Sequence, residues 1–121
     1  MLSKREETQR RRRKLHEELR TFGFEPVMRG TIVERARRCG RASCACARDP
    51  KARHPERYVS IKVKGRTVAL HLRERDEQRI RRAIAAYQRL WEIIEELTAC
   101  EISDLRRQVR ERSRACRRRQ G

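Results

Sequence analysis

Residues 39–46 read Cys-Gly-Arg-Ala-Ser-Cys-Ala-Cys, and His54 follows after seven further residues. Three cysteines and a nearby histidine offer four soft or borderline donors, the set that a tetrahedral zinc ion takes. The small residues between the cysteines let the backbone turn tightly around one ion. We therefore predict a Zn²⁺ site whose ligands are Cys39, Cys44, Cys46 and His54.

Other interpretations of this stretch stay open at the level of sequence. It also fits a loop with three free thiols, a disulfide, or an iron–sulfur cluster, although such a cluster usually takes four thiolates. For the fourth metal ligand, His71 is the reserve candidate, and Asp49 or a water is a weaker one. Cys100 and Cys116 lie in helical sequence, and we expect them not to be ligands.

The composition describes a small, highly charged chain. Its 121 residues carry a net charge of +17, and only 36% of them are hydrophobic while 42% are charged. The core must therefore be thin, and zinc binding could supply on the order of 10 kcal/mol of folding free energy. Without an apolar run of membrane-spanning length or an apolar leader, and with an odd number of cysteines, we expect a cytoplasmic, nucleoid-associated protein.

The excess of basic residues points to a polyanionic partner. Lys and Arg number 34 against 17 acidic residues, which favours nucleic acid, and DNA in preference to RNA. A membrane surface is not expected, because the basic helices lack a large apolar face. The residues expected to contact nucleic acid are Arg10, Arg11, Arg12, Arg13, Lys14, Arg37, Arg38, Arg41, Arg48, Tyr58, Lys62, Lys64, Arg117, Arg118 and Arg119.

A β-hairpin is the clearest local prediction. Residues 58–63 and 66–72 alternate in polarity, and Lys64-Gly65 between them suits a two-residue turn. This register pairs Ile61 with Val68, Val59 with Leu70, and Tyr58 with His71. The face expected in the core carries Val59, Ile61, Val63, Val68, Leu70 and Leu72, and the opposite face is polar and basic.

Helices are expected on both sides of the hairpin. A capping box at residues 3–6 begins an N-terminal helix that ends near Thr21, and its apolar residues are Leu15, Leu19 and Phe22. This helix is either solvated or an arm that becomes ordered on nucleic acid. A second helix begins near residue 74, and at residue 98 it either restarts or continues. Its apolar stripe is expected to cover the hairpin, with Trp91 in the core or in a dimer seam; the stripe comprises Ile80, Ile84, Tyr87, Trp91, Ile94 and Thr98.

These elements predict an α+β fold. A zinc-stapled unit of a hairpin or three strands packs on a long C-terminal helix, with basic helical extensions at both ends. Residues 30–35 form the third strand, and residues 47–57 form a loop with Pro50 and Pro55 as breakers. The expected segments are 1–29, 30–98 and 99–121.

Several motifs resemble those of a known family. They are the run at 29–35, the cysteine stretch at 39–46, His54-Pro55, Tyr58, and the Lys64-Gly65-Arg66 turn before a helix. Together they resemble small prokaryotic proteins of unknown function with a CG-x3-C-x-C core, associated with mobile genetic elements and transposase-like proteins. The family pattern often has His-Gly-Pro and an aromatic run, from which residues 54–58 depart. The resemblance covers roughly residues 28–98, and it implies a zinc-stabilised accessory protein without supplying catalytic residues.

No enzymatic activity is expected from the residue pattern. The sequence assembles neither a nucleophile–base pair nor a carboxylate cluster. A zinc with a catalytic water would need a nearby acid/base glutamate, and Glu56, two residues from His54, is the candidate for it. Three functions fit the pattern. The first is a DNA-binding accessory or regulator of a mobile element. The second is an RNA-binding ribonucleoprotein subunit. The third is a subunit that docks on a larger nuclease or transposase, or on a second copy, through the helix at 80–98.

Overall fold

A computed structural model of the protein describes residues 1–120, apart from the side chain of Phe24. It contains an N-terminal helix α1 (Lys4–Arg20), three strands β1 (Gly30–Arg37), β2 (His54–Val63) and β3 (Arg66–His71), and a long helix α2 (Glu77–Gln120). Short 3-10 turns lie before β1, in the loop between β1 and β2, and before α2. The predicted α+β class is confirmed.

The sheet is antiparallel in the order β1-β2-β3. The predicted hairpin register is confirmed, since Ile61 pairs with Val68, Val59 with Leu70, and Tyr58 with His71. Lys64 and Gly65 both have positive φ, at 50° and 75°. Two successive residues of this kind give a turn whose twist matches that of the flanking strands, which is why this hairpin closes with only two residues.

The pairing of β1 with β2 extends further than expected. It runs from Gly30 opposite Ile61 to Arg37 opposite His54, so the predicted loop over 47–57 is wrong for its last four residues. Pro55 is tolerated within β2 because β3 pairs only with residues 58–63, and a proline is acceptable where a strand lacks one neighbour.

The residues group into two compact units. One comprises Pro26–Tyr87, and the other comprises Met1–Glu25 together with α2 from Gln88 onward. The boundaries between these units fall after residues 25 and 87, whereas the expected segments were divided after residues 29 and 98.

Within the unit 26–87, the apolar face of the hairpin is buried only in part. Val59, Leu72 and Ala83 of α2 are buried, and Ile61 is half-buried. The predicted burial is wrong for Val63, Val68 and Leu70, which are exposed near the hairpin turn and on the edge strand β3. The segment before β1 is tied to α2 by a hydrogen bond that the Met28 N–H donates to the Ala83 carbonyl oxygen at 3.0 Å.

The other unit is held by α1 packed against α2. Leu15 and Ile93 are only 2% and 0% exposed, and Cys100 is buried beside them. Leu19, Phe22 and Leu97 pack around this cluster, so the apolar residues of α1 are a docking face. The predicted capping box is confirmed, because the Ser3 hydroxyl accepts from the Glu6 N–H while the Glu6 carboxylate accepts from the Ser3 N–H.

The helix α2 continues through Thr98, whose hydroxyl donates to the Ile94 carbonyl oxygen within the helix at 2.8 Å. The core alternative for Trp91 is wrong, as is the expected burial of Ile94, since the two side chains are 51% and 44% exposed. The reason is that α1 contacts the side of α2 that carries Ile93 and Cys100. The dimer-seam alternative for Trp91 stays a prediction. Within residues 1–120, no helix combines the length and the apolarity that crossing a membrane requires.

Candidate metal centre

The end of the β1–β2 ladder positions the cysteine loop. Arg37 and His54 are the last pair of this ladder, so residues 38–53 leave and re-enter the sheet at neighbouring points. Gly40 has φ of 85°, a left-handed conformation that favours glycine and turns the chain directly after Cys39. Cys44 is the N-cap of the 3-10 turn Ala45–Ala47, and Cys46 is its middle residue. We call residues 38–53 the metal loop.

The four predicted ligands come together. The ligand atoms of Cys39, Cys44, Cys46 and His54 all lie within 4.8 Å of one another. Cys44 Sγ lies 3.3 Å from His54 Nε2, and Cys46 Sγ lies 3.5 Å from Cys39 Sγ. With metal–sulfur bonds of about 2.3 Å, a tetrahedron has edges of about 3.8 Å. The cluster therefore has the size and the donor set of a tetrahedral metal site, and this Cys3His group could hold one ion.

The environment of the cluster favours a thiolate at Cys44. The backbone N–H of Cys46 and then the His54 side chain hydrogen-bond to this sulfur and lower the pKa of Cys44 to about 6. Cys46 differs: the Cys39 backbone N–H donates to its sulfur at 3.4 Å and favours the thiolate, but burial and the neighbouring thiols outweigh this effect and raise the pKa of Cys46. A bound cation would stabilise the thiolate form of these closely spaced sulfurs.

The geometry does not favour a disulfide in the loop, and the other candidate ligands have different surroundings. A disulfide needs sulfur atoms about 2.0 Å apart, and in the described chain all five cysteines are free. Cys100 is buried between α1 and α2, Cys116 is exposed on α2, and His71 lies in β3 opposite Tyr58. The Asp49 carboxylate accepts a hydrogen bond from the Lys51 N–H at 2.9 Å and caps a 3-10 turn, so it serves the loop backbone.

The arrangement is typical of a structural metal site. Four protein donors fill a tetrahedral shell, whereas catalytic zinc sites keep one position open for water or substrate. Glu56, the acid nearest in sequence to His54, lies 2.9 Å from Arg35 Nε and 3.5 Å from an Arg37 nitrogen. The hydrogen bond from Arg35 lowers the pKa of Glu56, which makes this carboxylate a weaker proton acceptor near neutral pH.

The other predicted contact residues of the unit 26–87 fall into two groups. Arg38, Arg41 and Arg48 are exposed in the metal loop, and Lys62 and Lys64 are exposed at the tip of the hairpin. Arg37 and Tyr58 are already engaged, Arg37 by Glu56 and Tyr58 by the Arg35 guanidinium, which lies 4.9 Å from the ring centroid. This role of Arg35 does not follow from the sequence, because the register that places it beside Tyr58 depends on the unpredicted extension of the β1–β2 ladder.

The predicted contact residues on the helices also divide. Arg11 and Arg12 form ion pairs with acidic residues of α2. The remaining predicted helical residues, Arg10, Arg13, Lys14, Arg117, Arg118 and Arg119, are exposed.

A comparison with family models finds one that matches residues 5–82 and is described as a domain of unknown function, DUF6788. The chain belongs to the DUF6788 family. The DUF6788 match includes α1, the three strands and the first residues of α2, so the whole Cys3His group lies inside it. Searches of the curated proteins and of the solved structures found no match.

Proposed function

We propose that this DUF6788 protein is a zinc-stabilised, nucleic-acid-binding accessory or regulatory protein that binds DNA mainly through contacts with the DNA phosphates. The observation that carries the proposal is the distribution of unneutralised positive charge. Nine arginines form ion pairs with carboxylates within residues 1–120, and none of the nine lies in the metal loop or among residues 110–119. Placing such charges against phosphates increases the affinity for DNA, because binding releases the cations that the phosphates otherwise hold.

The metal loop carries five basic residues and one acid. The acid is Asp49, whose carboxylate accepts a hydrogen bond from the Lys51 backbone N–H. The five basic side chains of the loop take part in none of the ion pairs within residues 1–120. A loop closed by the sheet at both ends and by a metal in the middle would hold these charges in a fixed pattern. The basic residues are Arg38, Arg41, Arg48, Lys51 and Arg53.

The end of α2 carries a second set of arginines. Glu111 is the one acid among residues 110–119, and it lies 3.8 Å from Arg107 rather than beside an arginine of this set. Cations suit a helix C-terminus, but so many like charges on three turns repel one another unless anions lie nearby. The arginines of this set are Arg110, Arg112, Arg114, Arg117, Arg118 and Arg119.

Zinc is the ion that we assign to the Cys3His group. Three thiolates and an imidazole select a soft or borderline metal with tetrahedral preference, and iron–sulfur clusters usually require a fourth thiolate. In this role the ion supplies no reaction step. It would tie Cys39, Cys44 and Cys46 to the first residue of β2 and so hold the basic loop against the sheet.

The biological setting and the type of nucleic acid are further parts of the proposal. The association with a mobile genetic element rests on the sequence resemblance. A DNA duplex is favoured over single-stranded RNA because a duplex can be bound through its phosphates alone, whereas stacking of unpaired bases would use Tyr58, whose ring is covered on one face by Arg35. The protein would then act in the cytoplasm, on the nucleoid.

A competition experiment tests the proposal. A labelled DNA duplex is bound to the zinc-loaded protein and displaced by unlabelled duplex, single-stranded DNA or structured RNA of equal length. We expect duplex to compete best. Stronger competition by RNA would favour the ribonucleoprotein alternative, and an absence of binding at about 0.1 M salt would refute the proposal.

A matched pair of variants locates the contact. Arg41→Gln with Arg48→Gln removes two charges from the metal loop, and Arg79→Gln with Arg82→Gln removes two exposed charges from α2 in the same unit. We expect the first variant to bind more weakly than the second while it retains its zinc. Equal affinities would show that the metal loop is not the contact.

A further inference from the structure

One side of α2 carries an apolar stripe that nothing in the described chain covers. Trp91, Ile94, Ile102, Leu105 and Val109 are each 44–56% exposed. With Thr98 they recur every three or four residues and so share one face of the helix. Ile93 and Cys100, which pack against α1, lie on the opposite face. An exposed apolar strip of this length marks an interaction surface.

We propose that this stripe, from Trp91 to Val109, binds the same stripe of a second copy of the chain in antiparallel orientation. The pattern is nearly palindromic about residue 100. Antiparallel pairing of two copies would place Trp91 against Val109 of the second copy, Ile94 against Leu105, and Thr98 against Ile102. A two-fold axis near residue 100 repeats each contact, and the interface closes on itself as a dimer.

Charge decides the orientation. Residues 88–101 of α2 contain four glutamates and one arginine, whereas residues 106–119 contain eight arginines and one glutamate. Antiparallel pairing about residue 100 keeps the two arginine-rich ends apart and lays residues 106–112 of one helix beside residues 88–94 of the other. Three of the four glutamates already pair with arginines of their own chain, which leaves Glu95 as the acid available to the second copy. Parallel pairing would instead bring the two arginine-rich ends together, where like charges repel.

Two side chains at the border of the stripe show this complementarity in detail. Glu95 and Arg106 flank the same side of the stripe, both are exposed, and neither takes part in an ion pair within residues 1–120. In the antiparallel arrangement Glu95 would face Arg106 of the second copy. The symmetry creates this ion pair twice.

The stripe has the length and the aromatic side chain that a dimer interface between two helices needs. The stripe covers 19 residues, which in a helix extend over about 28 Å. Trp91 supplies a large, rigid aromatic surface of the kind that often dominates an interface. The inference goes beyond the proposed function, because it needs neither the metal nor nucleic acid.

Sedimentation equilibrium of the full chain, free of nucleic acid, tests the proposal through a charge exchange. We expect wild type to have twice the mass of one chain at micromolar concentrations. Glu95→Arg and Arg106→Glu should each weaken the dimer on the order of tenfold, because each replaces two ion pairs with two repulsions. The double variant should recover most of the lost affinity. Glu17→Arg, an equal charge change at an exposed residue of α1, should leave the dimer intact.

A second variant tests the apolar part of the interface. Leu105→Asp should abolish the dimer without changing the helical content, since this side chain is already 56% exposed in the single chain. A wild-type protein that stays monomeric throughout the concentration range would overturn the proposal. A dimer that survives Leu105→Asp, or whose two charge defects add in the double variant instead of cancelling, would overturn it as well.

Discussion

Arg12 of α1 forms an ion pair with Asp104 of α2, although the two residues are 92 positions apart in the sequence. A second carboxylate, that of Glu101, lies 3.2 Å from Arg12 Nε. Arg12 was expected to contact nucleic acid, but here it joins the two helices of its unit. The hydrogen bond from Arg12 lowers the pKa of Asp104 below its ordinary value of 3.8.

This ion pair predicts a pH-dependent contribution to stability. Because the pKa of Asp104 is lowered by folding, its ionised form stabilises the folded state at pH values above 3.8, and this stabilisation is lost as the pH falls below that value. We expect Asp104→Asn to be less stable than wild type at pH 7. The difference should shrink steadily below pH 4. Urea unfolding followed by Trp91 fluorescence measures both.

Glu17→Gln provides the control for this measurement. Glu17 is an exposed carboxylate on the same helix as Arg12 and has no ion pair in the described chain. Its loss should leave the free energy of unfolding nearly unchanged at every pH. A constant difference between Asp104→Asn and wild type from pH 7 to pH 3 would contradict the assigned role of the ion pair.

The cluster of Leu15 with Ile93 predicts where the helical unit is most sensitive. Leu15→Ala should lower the free energy of unfolding by about 2–5 kcal/mol, because it removes a side chain that is almost completely buried. Leu2→Ala, the same substitution at an exposed position of the same unit, should stay within about 0.5 kcal/mol of wild type. Equal losses in the two variants would show that α1 does not pack on α2 in solution.

Local sequence patterns predict the features of this fold that depend on neighbouring residues. The register of the hairpin followed from Lys64-Gly65 and the alternating strands, and the Cys3His cluster followed from ligand spacing, since both depend on neighbours in sequence. Which face of α2 is buried did not follow from the local sequence. This helix has apolar residues on two faces, and only the contact with α1 selects Ile93 and Cys100 rather than Trp91 for burial. Cys100, which we expect not to be a ligand, is buried in this contact as a small apolar side chain.

The start of β2 shows a second limit of prediction from local sequence. Pro50 and Pro55 indicated a loop up to Arg57, yet the strand begins at His54 because β1 is available to pair with it. Ladder pairing between residues so far apart in sequence is a tertiary effect that local propensity does not contain. The same pairing fixes His54 next to the end of β1, which explains why this histidine, and not His71, completes the cluster.

The metal centre predicts one zinc per chain. Cys44→Ser combined with Cys46→Ser should lose the metal, because two of four donors are gone and binding is coupled to folding of the loop. His54→Ala should bind zinc more weakly, and His71→Ala should not. Elemental analysis of each purified protein gives the zinc content, and hydrogen exchange of the β1 and β2 amides reports the folding of the sheet.

Cys116→Ser is the control for the loss of a thiol, since Cys116 is exposed on α2 and lies outside the cluster. It should keep the full zinc content. A wild-type protein that is purified and reconstituted without retaining zinc, or a Cys44→Ser, Cys46→Ser protein that retains it, would contradict the assignment.

The end of α2 predicts a strong and uniform salt dependence of DNA binding. Each arginine that neutralises a duplex phosphate adds about 0.9 to the slope of log affinity against log salt concentration. Replacing Arg117, Arg118 and Arg119 with Gln should therefore lower the slope by up to about 3. The weakening should be the same for unrelated duplexes, because dense runs of one residue type position the phosphates without reading bases. Salt titrations on two duplexes measure the slope and its sequence dependence.

Single substitutions supply the matched comparison. Arg119→Gln removes a charge that is free to meet a phosphate, whereas Arg11→Gln removes one that already lies 2.7 Å from Glu96. The first should lower the slope by about 0.9 and the second by close to zero, because an arginine engaged by a carboxylate of the protein neutralises no phosphate and so releases no cation condensed on the DNA. If both substitutions lowered the slope equally, the ion pair with Glu96 would have to open on binding. If neither did, α2 would not contact the DNA backbone through its final turns.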